Sequence, residues 1–98
     1  MGETVILPCN TKESSGVEWT QNASYGQIGY IYVNGSITGH PNILLHFSVI
    51  STSEGEYSLR IYNVQPAYSG LYVCYEANGR RIIGYHLVAI SMYSSHYI

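Results

Sequence analysis

Aspartate is absent from this sequence, and all six acidic residues are glutamates. Basic residues are equally scarce: Lys12, Arg60, Arg80 and Arg81 are the four, charged residues make up 10% of the chain, and the formal net charge is -2. A chain so poor in positive charge lacks the basic footprint that nucleic acids demand, so no nucleic-acid partner is expected. Catalysis finds little to use. The histidines His40, His46, His86 and His96 sit on separate segments without the i,i+2 or i,i+4 spacing of paired metal ligands. No serine stands in a nucleophile-elbow setting, and neither cysteine reads as a free thiolate. No enzyme activity, cofactor or metal is therefore expected. No apolar run approaches the roughly 20 residues that cross a bilayer, and no signal segment is visible. Met1 stands directly before residues already entering a strand, so the chain reads as an excised domain, and the missing signal says nothing of the parent protein.

Tyrosine is what the chain has in excess, 11 of 98 residues, against one Phe and one Trp. The most informative stretch runs from Tyr57 to Tyr75. Leu59 and Ile61 alternate with Ser58, Arg60 and Tyr62, the period-2 mark of a strand buried on one face. Gln65-Pro66-Ala67 turns the chain, because Pro fixes its own φ and cannot extend a ladder. A second strand follows with Tyr72 and Cys74 on one face. Two strands joined across such a corner, with Tyr two residues before Cys, resemble the tyrosine corner of immunoglobulin sandwiches. Trp19, ten residues after Cys9, stands where that family keeps the tryptophan that packs on its disulfide.

The resemblance implies an all-β immunoglobulin V-set sandwich of two antiparallel sheets, with strand A truncated. In the family's lettering, Gly2–Cys9 matches strand B and Gly16–Gln21 strand C. Gln27–Val33, before the hairpin dipeptide Asn34-Gly35, matches C′, with C″ beyond it. His40-Pro41-Asn42 breaks the chain, and Leu45–Thr52 matches strand D with Phe47 and Val49 inward. Strand E, the corner and strand F fill the informative stretch, Asn78–Arg81 forms the F–G tip, and Ile83–Ile90 is strand G. The domain is expected over residues 1–91, with 92–98 a C-terminal tail or linker. Cys9 and Cys74, 65 positions apart, leave room for the extra C′ and C″ strands. They read as one long-range bridge in an oxidising compartment, the alternative being two buried thiols. Closing a loop of that length contributes about 4 kcal/mol by chain-entropy arguments. Trp19, Tyr72, Leu59 and Ile61 are expected core.

Two departures refine the resemblance. Strand G lacks the Phe/Trp-Gly-x-Gly bulge of rearranging antigen receptors and has Ile83-Gly84-Tyr85-His86 instead, which suits a germline-encoded receptor. At the sandwich base, the family's Arg–Asp pair is replaced by His46 and Tyr68, so the two are expected to lie close together without a buried charge.

The resemblance also implies a function. The chain is expected to be an extracellular recognition module that meets a protein partner through its G-F-C-C′ face. The alternative is homophilic adhesion or receptor dimerisation through the same face, with a homodimer as the partner state. The residues expected to carry binding are Tyr30, Tyr32, Val73 and Tyr75, with Arg80 and Arg81 together at the F–G tip to steer an acidic partner. Asn22-Ala23-Ser24 and Asn34-Gly35-Ser36 are glycosylation sequons. The expected location is the cell surface, as the ectodomain of a type I membrane protein, or the secreted fluid.

Overall fold

The computed structural model describes residues 3–12, 16–23, 28–38, 45–91 and 94–97. The break expected at 40–42 lies outside them. Among the described residues nine strands form: β1 (Val5–Leu7), β2 (Val17–Ala23), β3 (Ile28–Val33), β4 (Ser36–Ile37), β5 (Phe47–Ile50), β6 (Ser58–Ile61), β7 (Gly70–Glu76), β8 (Arg81–Ser91) and β9 (Ser94–Tyr97). They pair antiparallel in two sheets, one ordered β1-β6-β5 and the other β4-β3-β2-β7-β8-β9. The first is the family's B-E-D sheet and the second its C″-C′-C-F-G sheet, extended by β9. This is the all-β sandwich of variable-type order, with strand A truncated. The carbonyl of Glu3 accepts a bond from Val64 N at 3.0 Å, prolonging the β1–β6 ladder, and β1 is a sheet edge among the described residues.

Alternation explains most of the burial. Val5, Leu7 and Cys9 point inward while Ile6 is exposed, and Leu59 and Ile61 face them from β6 with no exposed surface. The Asn34-Gly35 dipeptide closes β3 onto β4 in a two-residue turn with φ of 53° and 80°. Both values lie in the left-handed region that Asn and Gly tolerate best, which is why this pair marks the hairpin. Residues 92–98, set apart as a tail in the sequence, include the strand β9. Ser94–Tyr97 turns back to pair with the last part of β8, Leu87 opposite Tyr97 and Ala89 opposite Ser95.

The two sheets are joined where Cys9, just beyond β1, bonds to Cys74 on β7 with their Cα atoms 6.6 Å apart. Trp19 is the direct cross-strand neighbour of Cys74 and is fully buried. Its indole Nε1–H donates to the Tyr57 carbonyl at 2.8 Å, and its ring stacks on Tyr85 at 6.3 Å. At the opposite end, Pro66–Tyr68 forms a 3-10 turn, and the Tyr72 hydroxyl donates back to the Tyr68 carbonyl. The corner is closed as its sequence suggests. Gln21 Nε2 in turn donates to the Tyr72 hydroxyl at 3.4 Å, while its own Oε1 is buried without a partner among the described residues.

His46 and Tyr68 meet edge to face, ring centroids 5.3 Å apart. His46 is further tied to β6, its Nδ1 lying 2.8 Å from the Tyr62 carbonyl. An edge-to-face aromatic contact thus stands where the family keeps an ion pair. Tyr72→Phe is expected to lower stability by about 1–3 kcal/mol, because it strands the buried Gln21 amide and the Tyr68 carbonyl. His46→Phe keeps the ring contact and loses one half-buried hydrogen bond, so about 1 kcal/mol is expected. Urea melts of the two variants check the order, and a larger loss for His46→Phe would contradict it.

Candidate partner-binding face

The outward side chains of the six-stranded sheet can be read off the ladder in rows. The central row runs Tyr30–Thr20–Val73–Gly84 across β3, β2, β7 and β8. Above it, towards the turn between β7 and β8, Glu18, Tyr75 and Arg81 stand side by side. Below it come Asn22, Leu71 and His86. Tyr30 is 52% exposed, Tyr75 and Leu71 are half-buried, and Asn22 is open to solvent.

Four expected binding residues are placed differently from the sequence reading. Val73 has the outward phase, yet only 4% of its surface is exposed, so it lies beneath the face rather than on it. Tyr32, two residues from Tyr30, does not share its face. The β2–β3 register shifts between Trp19 and Thr20, so Ile31 is an extra residue. It is buried in the core, and Tyr32 packs against the core behind it. A bulge resets alternation, and two tyrosines at i and i+2 part company. Nor do Arg80 and Arg81 point into one tip. Arg80 bends back on Glu76, while the guanidinium of Arg81 lies over Gly84, where any Cβ would collide with it. A second register shift, between Cys74 and Tyr75, turns Ile82 towards the core and leaves Ile83 38% exposed.

Glu76 is a functional group that the sequence reading passed over, although alternation with Tyr72 and Cys74 already places it inward. Its side chain is 5% exposed. Arg80 Nε and Nη2 donate to its two oxygens at 2.8 and 3.2 Å, and Thr11 Oγ1 donates at 2.9 Å. The hydrogen bond from Arg80 is the main reason the Glu76 carboxyl titrates below its ordinary value, with Thr11 adding to it and desolvation opposing. Glu56 is also held low, chiefly by the Thr52 hydroxyl.

At the same end of the sandwich lies a recess of about 340 Å³ between the start of β2, the β3–β4 turn and the segment before β6. Glu18, Tyr32, Tyr57, Asn34 and Ala77 line it. Burial, and then the neighbouring Tyr57, raise the Tyr32 hydroxyl above its ordinary pKa of 10.0, so it stays a neutral phenol at physiological pH. Among the described residues no group of three or more His, Cys or Glu side chains gathers to hold a metal, and no helix is long and apolar enough to cross a membrane.

A broad, charge-poor sheet face beside a ring of loops, held over an inter-sheet bridge and a closed tyrosine corner, is the build of an immunoglobulin-type binding domain. The model of the immunoglobulin V-set domain matches residues 1–87, and the chain belongs to that family. No curated protein matches it. V-set domains as a class are extracellular protein-binding modules and typically not enzymes.

Because the folded Glu76 carboxyl titrates low, the stability it contributes is fully present above its ordinary value of 4.5 and is lost as pH falls through the lower folded value. Glu76→Gln is therefore expected to be less stable than the parent at pH 7, with the gap closing on acidification. Denaturant midpoints at pH 7 and pH 3 check this. An equal gap at both would show that the charge is not what matters.

Proposed function

We propose that this chain is an extracellular recognition module that binds a protein partner through the outer face of its six-stranded sheet, the G-F-C-C′ face, as in a germline-encoded immune-type receptor at the cell surface. The observation that carries this reading is the row Tyr30–Thr20–Val73–Gly84 with Tyr75 above it. Tyrosine offers large contact area at low rotamer cost, and Val73 gives a floor beside the Arg81 guanidinium that covers Gly84. Association there desolvates little charge, since Glu18 and Arg81 are the acid and the base of those rows. The other sheet is less suited. Its outer face is three strands wide, and Arg60 closes it by bonding Ser48 and lying 4.6 Å above the Tyr62 ring.

A glycan on Asn22, a residue exposed in the lower row, would shade Leu71 and His86. Binding then concentrates in the upper half, around Tyr30, Tyr75 and Arg81. Homophilic dimerisation is the second reading, favoured by one feature. Glu18 and Arg81 in a single row are self-complementary when two copies meet about a two-fold axis.

Tetramerised parent chain is expected to stain cells that display the partner, and Tyr30→Arg and Tyr75→Arg to reduce that binding about tenfold or more. Arg60→Glu on the other sheet should leave it unchanged. The opposite pattern would move the interface to the three-stranded sheet. Sedimentation of the parent from low to high concentration separates heterophilic from homophilic binding.

A further inference from the structure

Asparagine followed by glycine occurs twice in the chain, at Asn34-Gly35 and at Asn78-Gly79, each in a turn between paired strands. Glycine leaves the backbone nitrogen after asparagine unshielded and its own φ free, so in this dipeptide that nitrogen reaches the asparagine side-chain carbon readily. The two sites share one sequence chemistry. Their surroundings differ.

Asn34 and Gly35 are exposed, and nothing lies within 4 Å of where a Cβ on Gly35 would stand. Among the described residues, neither the Asn34 side-chain amide nor the Gly35 N–H makes a hydrogen bond. Ring closure needs rotation about the Asn34 Cα–C bond, away from the turn conformation, and this hairpin can yield locally. Strand β4 has two residues and lies at the edge of the sheet, paired to β3 at Tyr32–Ile37 and Val33–Ser36. Short edge elements belong to the low-stability end of a fold.

At Asn78 both reacting groups are tied. The Gly79 N–H donates to the Glu76 carbonyl at 2.8 Å, and the Asn78 Oδ1 accepts from Arg80 N at 3.0 Å. The Asn78 side chain also hydrogen-bonds the Glu76 carboxyl, which the Arg80 guanidinium grips at 2.8 and 3.2 Å. The nucleophile is engaged and the carbonyl is held in a local turn of its own.

We infer that Asn34 is a site of spontaneous modification, at which the folded chain converts asparagine to aspartate and isoaspartate, while the turn around Asn78 protects that residue. The Gly35 nitrogen attacks Asn34 Cγ and gives up its proton. A C–N bond forms to close a succinimide, the Cγ–Nδ2 bond breaks, and Nδ2 leaves with that proton as ammonia. Water then adds to either ring carbonyl and opens the ring to aspartate or isoaspartate. No oxidant, reductant or enzyme takes part. The chain otherwise contains no aspartate, and the event erases the Asn34-Gly35-Ser36 sequon. Isoaspartate also adds one atom to the backbone, which a two-residue turn absorbs only by breaking the Val33–Ser36 pair. A glycan on Nδ2 would take the place of ammonia as the leaving group, so glycosylation and deamidation are alternative fates of one side chain. The inference stands apart from the proposed binding face.

The test is prolonged incubation of the unglycosylated 98-residue chain at neutral pH and body temperature in heavy-oxygen water, with peptide mass mapping and isoaspartate methyltransferase labelling. Asn34 is expected to lose ammonia and gain one heavy oxygen about tenfold or more faster than Asn78, because two hydrogen bonds must break before Asn78 reacts. The amide signals of Val33, Ser36 and Ile37 should shift in proportion to the isoaspartate formed. In the Asn34→Gln variant they should stay unchanged over the same time. Reduced and held in concentrated urea, the parent chain should modify both sites at comparable rates, since the dipeptides are the same. No conversion at Asn34 in the folded chain, conversion of Asn78 as fast as Asn34, or a difference between the sites that persists in urea overturns the inference.

Discussion

The bond between Cys9 and Cys74 is the constraint on which the rest of the sandwich hangs. Among the described residues it is the covalent link between the sheets, placed beside Trp19, the largest fully buried side chain. Closing a span of 65 residues removes entropy from the unfolded chain. It also brings three backbone segments into register. Tyr57 N donates to the Cys9 carbonyl at 2.8 Å, and the Tyr57 carbonyl takes the Trp19 indole bond. The bridge, the tryptophan and the start of β6 are therefore one unit. Tyr57 belongs to that unit and also lines the recess.

Scarcity of charge shapes both the stability and the surface. With 10% charged residues, the chain does not build a polar shell from ion pairs. Among the described residues, several of its charges are used locally. Glu76, nearly buried, would be costly without the two Arg80 bonds and the Thr11 hydroxyl that satisfy its oxygens. Arg60 lies on Tyr62, and Arg81 is accommodated because Gly84 has no side chain. Apart from Arg81 over Gly84 and Glu18, the centre and upper part of the outer face of the large sheet are left to tyrosine, threonine and aliphatic groups. Glu18 is the one carboxylate of its rows.

Edges matter as much as faces. Among the described residues, β1 leaves one side of the small sheet uncovered beside the exposed Ile6. On the large sheet, β9 folds back over part of β8, satisfying backbone groups that would otherwise invite pairing with another chain.

Much of the fold was written locally. Alternation around Leu59 and Ile61, the Asn34-Gly35 turn, the Tyr72-x-Cys74 corner and the spacing of Trp19 from Cys9 are short-range patterns, and each depends on neighbours along one strand. They carry the resemblance to the immunoglobulin V-set sandwich, from which the expected strand order, the bridge and the core follow. The site was less legible because it depends on pairing between strands. Nothing in the run from Ile28 to Val33 announces that the register slips at Trp19, yet that slip sends Tyr32 inward while Tyr30 remains outside. Val73 has the outward phase in sequence, and only the packing around it decides that it is covered. The adjacent Arg80 and Arg81 read as one basic tip until Glu76, four residues before Arg80, and Gly84 draw them apart. The pairing of β9 was likewise invisible, since a polar-aromatic segment becomes a strand only when an open edge lies within reach. The sequence by itself determined the sandwich and its bridge, because those rest on period-2 burial and a few fixed spacings. Only the tertiary structure decided which side chains stand open on the outer face, because bulges, cross-strand neighbours and paired charges are properties of several strands at once.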